Sequence, residues 1–383
     1  MRASRLLWVD PTGWTESTPD GIAPGLVFYF GTRRMLTDGA RHDELRARFP
    51  GAHLIGCSTG GQIANGNVSD DMLCALALEF DTTRVSAVKR RIEDVTESLA
   101  CGEAIGGELK RPDLAGVFVL SDGLHVNGSA LVAGIAAGLG PDVPVSGGMA
   151  GDGPDFVETI VGCDGPPEPR TIAAIGFYGG NVRIGHGSAG GWDVFGPKRR
   201  ITRSEGNVLY ELDGKPALDL YKLYLGPEES QGLPSSALLF PLRISDPSRV
   251  DDSVVRTILA VDHETGSMTF AGDMPQGWSS QLMRGSVNRL CAGAAEATHR
   301  ATSALDVAAA GTSAAILVSC IGRRLLLGQR IDEEIEAAEA ELAEGCTPVG
   351  FYSYGEISPR EGSGYCQLHN QTMTVTVVSE LVA

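Results

Sequence analysis

Positive charge, aromatic side chains and paired-cysteine motifs are all scarce in this sequence, and the shortages narrow the choice of function. Lys and Arg number 31 against 48 Asp and Glu, a formal balance of −17 with a pI near 4.8. A chain of that sign repels phosphate backbones, so no nucleic-acid partner is expected. Aromatics make up 6% of the residues. The eight cysteines, at 57, 74, 101, 163, 291, 320, 346 and 366, include no Cys-x-x-Cys, which speaks against a disulfide scaffold and a zinc ribbon. Apolar runs stop short of the roughly 18 residues a membrane helix needs. The stretch MRASRLLWVDPTGW has two Arg but no apolar core of signal-peptide length. A reduced, cytoplasmic protein without membrane insertion is the expectation. There is no Gly-Lys-Ser/Thr loop and no clear Gly-x-Gly-x-x-Gly between a strand and a helix. None of the seven histidines, at 42, 53, 125, 186, 263, 299 and 369, pairs with another at metal-ligand spacing. Neither a metal nor a cofactor is therefore expected.

Glycine is what the chain has in excess: 50 of 383 residues, against a background of about 7%. So many glycines imply tight turns or close backbone approaches. Hydrophobic residues at 43% and charged ones at 21% are ordinary globular usage. At roughly 150 residues per domain the length suggests two or three domains.

Short apolar runs bounded by Gly or Asp predict strands at 26–30, 54–57, 73–80, 117–120, 172–178, 237–242, 315–319, 349–354 and 373–378. Helical spacing predicts helices over 279–304, capped by Ser279, over 331–345, around 131–139 and over 216–225. The Glu-rich stretch 332–344 reads as a solvated face, with a docking surface as the alternative. The polar, turn-rich segment GPEESQGLPSS at 226–236 is a candidate boundary. The expected architecture is α/β: two domains, 1–226 and 234–383, of mixed β-sheets layered with helices.

Three octets align without gaps: IGCSTGGQ at 55–62, VSGGMAGD at 145–152 and VGFYSYGE at 349–356. Each follows a strand and a helical stretch, and each ends in Gly followed by Gln, Asp or Glu. They predict a strand–helix–strand–turn–strand unit used three times. Strand alternation puts Ile55, Cys57 and Thr59 on one, core-like face. Ser58 and Gln62, Ser146 and Asp152, and Tyr352, Tyr354 and Glu356 lie on the other, among Gly and Ala. Those small residues either leave room for a ligand or serve bulges and tight layer packing. Asp122, His125 and Asn127 follow the strand at 117–120, where α/β sheets place ligand contacts; a plain turn with Asn127 as helix cap is the other reading. His369 and Asn370 stand opposite Tyr352–Glu356 in a C-terminal hairpin and form either a pocket wall or a hydrogen-bonded hairpin end. Cys57 falls on the core face, where a free thiol is structural rather than nucleophilic. Tyr352, Tyr354 and Glu356 projecting together would suit a zwitterion, phenols donating to its carboxylate and Glu356 accepting from its ammonium.

The segments GCSTGGQI, FVLSDG, SGGMAGD, GFYSYGEI and LHNQT together resemble the FIST family, F-box and intracellular signal transduction proteins, from about Gly21 to Glu380. The resemblance implies N- and C-terminal FIST domains and a cytoplasmic sensory module for small ligands, with amino acids the proposed class. No output segment follows the last strand in this sequence, so a separate signalling partner is expected. The alternative is a hydrolase or transferase using the Asp122–His125 loop or Cys57.

Overall fold

The computed structural model describes residues 1–16, 21–248, 253–305, 310–360 and 366–381. Three six-stranded sheets build the main body, and they share one plan. In the first, Leu26–Gly31 runs parallel to His53–Ser58 through the helix Ala40–Arg48, and Met72–Glu79 lies antiparallel on the other side. In the second, Leu114–Ser121 and Val145–Met149 are joined by the helix Gly128–Leu139, with Thr171–Tyr178 antiparallel beyond. In the third, Ala310–Cys320 and Cys346–Ser353 are joined through Ile321–Leu327 and Ile331–Glu339, with Met373–Leu381 antiparallel beyond. Each sheet is extended past that antiparallel strand by the strand preceding its unit: Arg2–Val9, Arg84–Arg91 and Val182–Ala189.

The units are interlocked by exchange. After the second strand each chain segment leaves its own sheet and adds a short antiparallel strand to another. Gln62–Ala64 pairs with Cys346–Ser353, Val161–Cys163 with His53–Ser58, and Gly355–Pro359 with Val145–Met149. The three octets are the crossing points. Gly60 N donates to Tyr352 O at 2.7 Å, Tyr352 N to Gly61 O at 2.9 Å, and Gly151 N to Ser58 O at 2.9 Å.

Both faces of every sheet are covered, which explains why the strands read as nearly unbroken apolar runs. The inner faces meet in one core. Phe30 stacks on Phe351 with ring centroids 4.5 Å apart, and Phe28 meets Phe118 edge-on at 5.1 Å. Helices cover the outer faces. Glycine makes those layers thin. A Cβ on Gly134 would sit 2.1 Å from Leu99 O and one on Gly102 2.4 Å from Leu131 O, so Ser98–Leu109 and Gly128–Leu139 touch backbone to backbone. The octet glycines are filled the same way: a Cβ on Gly56 would meet Tyr29 O at 2.2 Å, on Gly350 Leu317 O at 2.1 Å, and on Gly148 Val318 Cγ1 at 2.7 Å. The room imagined for a ligand there is taken up by protein.

A second body, with its own core, spans Trp192–Gly285 and carries the nine-stranded sheet. It is inserted between the strand Val182–Ala189 and the helix Val287–Ser303 of the third unit. The expected break at 226–234 lies inside this body, where Arg199–Glu205 pairs with Ser279–Gly285 and Val208–Leu212 with Ser267–Phe270. The helix expected from Ser279 begins only at Val287, after Ser286 with extended backbone (φ −136°). Residues Ser279–Gly285 are a strand, because their alternate side chains serve the sheet. The strand expected at 237–242 is a 3-10 turn over Ser235–Leu239, opened by Pro234, and pairing starts at Leu242. Among the described residues no helix is long and apolar enough to cross a membrane.

Candidate functional site

The twelve residues singled out in the sequence do not converge. Most are spent on the crossing points. Ser58 Oγ accepts from Ile160 N at 3.0 Å. The Gln62 amide, in the orientation that satisfies both its ends, donates to the carbonyls of Ser69 and Met72 and accepts from Thr32 N and the Thr59 hydroxyl. Ser146 is buried within its strand. Asp122 is wholly buried and accepts from the backbone N–H of Leu124, His125 and Arg170, with the His125 ring 3.2 Å away. Asn127 caps the helix Gly128–Leu139 and donates to Asp273 at 2.9 Å, tying the two bodies together. The expected joint projection of Tyr352, Tyr354 and Glu356 does not occur, because the chain changes sheets between Ser353 and Gly355. Tyr352 donates to Glu334 at 2.6 Å, while Tyr354 donates to Asp152 and to Gly153 O.

Glu334 also corrects the reading of its helix as a solvated face. It is wholly buried, 2.5 Å from the equally buried guanidinium of Arg323, and it accepts from Ser319 at 3.1 Å. Arg323 in turn donates to the carbonyls of Gly190, Leu290 and Gln371. Cys57 is fully buried and its thiol is pushed well up by desolvation. That is the reverse of an activated nucleophile.

A cleft of about 430 Å³ lies beside Trp8, Arg34 and Arg41, and candidate residues line two others among those formed by the described residues. One, of about 680 Å³, is lined by Arg33, Arg34, Arg324, Asp70, Asp71, Asp152 and Asp155 among others. Its central charges are already matched. Arg324 grips both oxygens of Asp70 at 2.8 and 2.7 Å, and Asp152 accepts from the N–H groups of Phe156, Val157 and Glu158 as well as from Tyr354.

The other, of about 580 Å³, opens between the two bodies, a common place for ligand sites. Its walls are His186 and Ser188 of one strand, Arg300 and Ser303 of the helix Val287–Ser303, Ser253–Val255 from the inserted body, and Arg360, Gln367, His369, Asn370 and Thr372 of the C-terminal hairpin. Alternation builds the first wall. Gly185 and Gly187 lie against the helix, where a Cβ would stand 2.0 Å from Ala301 O and 1.8 Å from Ala297 O; His186, between them, takes the opposite face. The turn at 370–372 is fixed by Gln371, in left-handed backbone (φ 64°), whose amide donates to Leu238 O and whose carbonyl accepts from Trp192.

This cleft concentrates bonding capacity that the protein does not use. Among the described residues both ring nitrogens of His186, Nε2 of His369 and both polar atoms of the Asn370 amide are buried without a hydrogen-bond partner. Burial pushes both imidazoles down to about 4, helped at His369 by the Arg256 guanidinium, so both are neutral near pH 7. Behind the wall Glu356, wholly buried, accepts from Ser353 Oγ at 2.7 Å and from the N–H and hydroxyl of Thr372 at 3.1 and 2.9 Å. Burial raises its carboxyl to about 7 against those bonds and the pull of Arg323. Three of the twelve candidates thus meet here: Glu356, His369 and Asn370. His186, Arg300 and Thr372 are not among the twelve. The one usable signal was Gly185-His186-Gly187, a histidine between two glycines in a strand.

An uncharacterized protein of Methanocaldococcus jannaschii is 28% identical over 188 residues, 47% of this chain and 36% of its own length. The chain therefore spans about a third of that relative. The model of the FIST N domain matches residues 25–215 and that of the FIST C domain residues 217–359. Their junction, at 215–217, falls within the inserted body, and strands from both sides of it share the third sheet. FIST domains are associated with signal transduction and small-ligand sensing. With both models matched over most of its length, the chain belongs to the FIST family.

Proposed function

We propose that this chain is a sensory module that holds one small, amino-acid-like molecule in the cleft between its two bodies. It passes the occupied state to a separate output protein in the cytoplasm, without a covalent step. The observation that carries this reading is the unused bonding capacity of Asn370, His369 and His186 around one cleft. Buried polar groups in folded proteins are almost always bonded, so a cluster of unbonded ones around a cavity marks where a ligand completes the structure. The cleft also joins elements of both bodies, so filling it changes how they are held together.

The test is to extract the purified protein, identify the bound small molecule by mass spectrometry, and titrate it calorimetrically into the wild type and an Asn370→Ala variant. Saturable binding weakened roughly 10- to 100-fold in the variant is expected, the equivalent of about 1–3 kcal/mol. Equal affinities in two folded proteins would move the site elsewhere. Turnover of the compound would replace the sensor with an enzyme.

A further inference from the structure

The unbonded atoms also define which edge of the ligand faces the wall. Asn370 presents an acceptor oxygen and a nitrogen with two donor protons side by side in one plane. Both lack a partner among the described residues, and the side chain is wholly buried. A carboxylate offers acceptors only and would leave the Asn370 oxygen unbonded. An ammonium offers donors only and would leave its nitrogen unbonded. One flat group satisfies both atoms at once: an edge with a donor beside an acceptor, as in a primary carboxamide, a lactam or a urea. The neighbours agree. His186 and His369 are neutral, so each ring carries one donor and one acceptor, and no carboxylate is among the described residues lining the cleft.

We infer that the ligand turns an amide edge toward Asn370 and is recognised by that edge in preference to the corresponding acid. This rests on the small-ligand reading above and narrows it to amide-bearing compounds, a carboxamide amino acid or a cyclic amide.

Isothermal titration of the unmodified protein with glutamine, glutamate and the lactam pyroglutamate tests it without any variant having to fold. An amide compound binding at least 10-fold more tightly than glutamate supports the inference, since the acid leaves a buried acceptor unpaired. An Asn370→Leu variant should lose that preference. Equal binding of amide and acid, tighter binding of glutamate, failure of all three probes to bind, or a preference that survives Asn370→Leu would each overturn it. Mass spectrometry of the co-purified molecule separates the two levels. A bound compound without an amide edge removes this inference and leaves the ligand-binding reading standing. A protein that carries no compound and binds none removes both.

Discussion

The two clefts are of similar size and teach opposite lessons about charge. The Arg- and Asp-lined cleft holds more ionic groups, yet Arg324 is taken by Asp70, and Asp152 by three backbone N–H groups and a phenol. Of its lining atoms only the Thr32 hydroxyl is buried without a partner among the described residues, and a hydroxyl is a rotor that gives little direction. The His186–His369–Asn370 cleft is mostly neutral on its inner wall and, among the described residues, leaves five polar atoms unbonded. The clefts thus differ in unmet hydrogen bonds rather than in density of charge, and the proposed ligand site is the one with the unmet bonds.

The largest test of this comparison is to break the frame behind the neutral cleft. Arg323 holds the carbonyls of Gly190 and Gln371, both at its edge, while neutralising Glu334. Arg323→Met strands a buried carboxylate and should cost about 3–5 kcal/mol in denaturant unfolding. A loss below 1 kcal/mol would mean that the network does not organise the third unit.

Glu356 gives the next effect. Its carboxyl is raised from 4.5 to about 7 in the folded protein, so the native state keeps a proton that the unfolded chain gives up. The stability this confers is complete below pH 4.5 and is lost as pH rises through 7, by about 3 kcal/mol in all. A Glu356→Gln protein lacks this slope, so the wild type should lose stability relative to it between pH 4.5 and 7. The two histidines act the other way, losing stability as pH falls from 6.5 toward 4, but they are present in both proteins and cancel. Parallel stability curves across that window would show that Glu356 is ionised throughout.

Smaller effects separate the clefts by binding. His369→Phe fills similar space without polar atoms and should weaken the identified ligand by up to about 10-fold, the size of one neutral hydrogen bond. Arg324→Ala, in the self-satisfied cleft, should cost about 1 kcal/mol of stability or less and leave affinity unchanged. If Arg324→Ala abolished binding and His369→Phe did not, the clefts would exchange roles.

The sequence alone carried the layered α/β class, because runs such as LVFYFG and VFVLS are apolar on both strand faces and admit only strands covered on each side. The ungapped octets lie where or shortly before the chain leaves one sheet to pair with another. Cys57 was legible as a core residue by alternation alone. The glycines were ambiguous, since a strand glycine looks the same beside a void as beneath another backbone; only the packed structure put Tyr29 O against Gly56 and Leu317 O against Gly350. Ser279–Gly285 was misread because its apolar positions fit both a helical and an alternating period, and pairing with Leu242–Ser245 settled which. The site lay furthest from view. Glu356, His369 and Asn370 are near in sequence and were among the candidates, but His186, Arg300 and Ser253 come from segments up to 184 positions from Asn370. The exchange of strands between units and the insertion of a second body bring them together. Local pattern records which face a side chain takes along its own strand. Which distant strand stands opposite, and therefore which polar atoms are left without a partner, is decided only when the sheets close on one another.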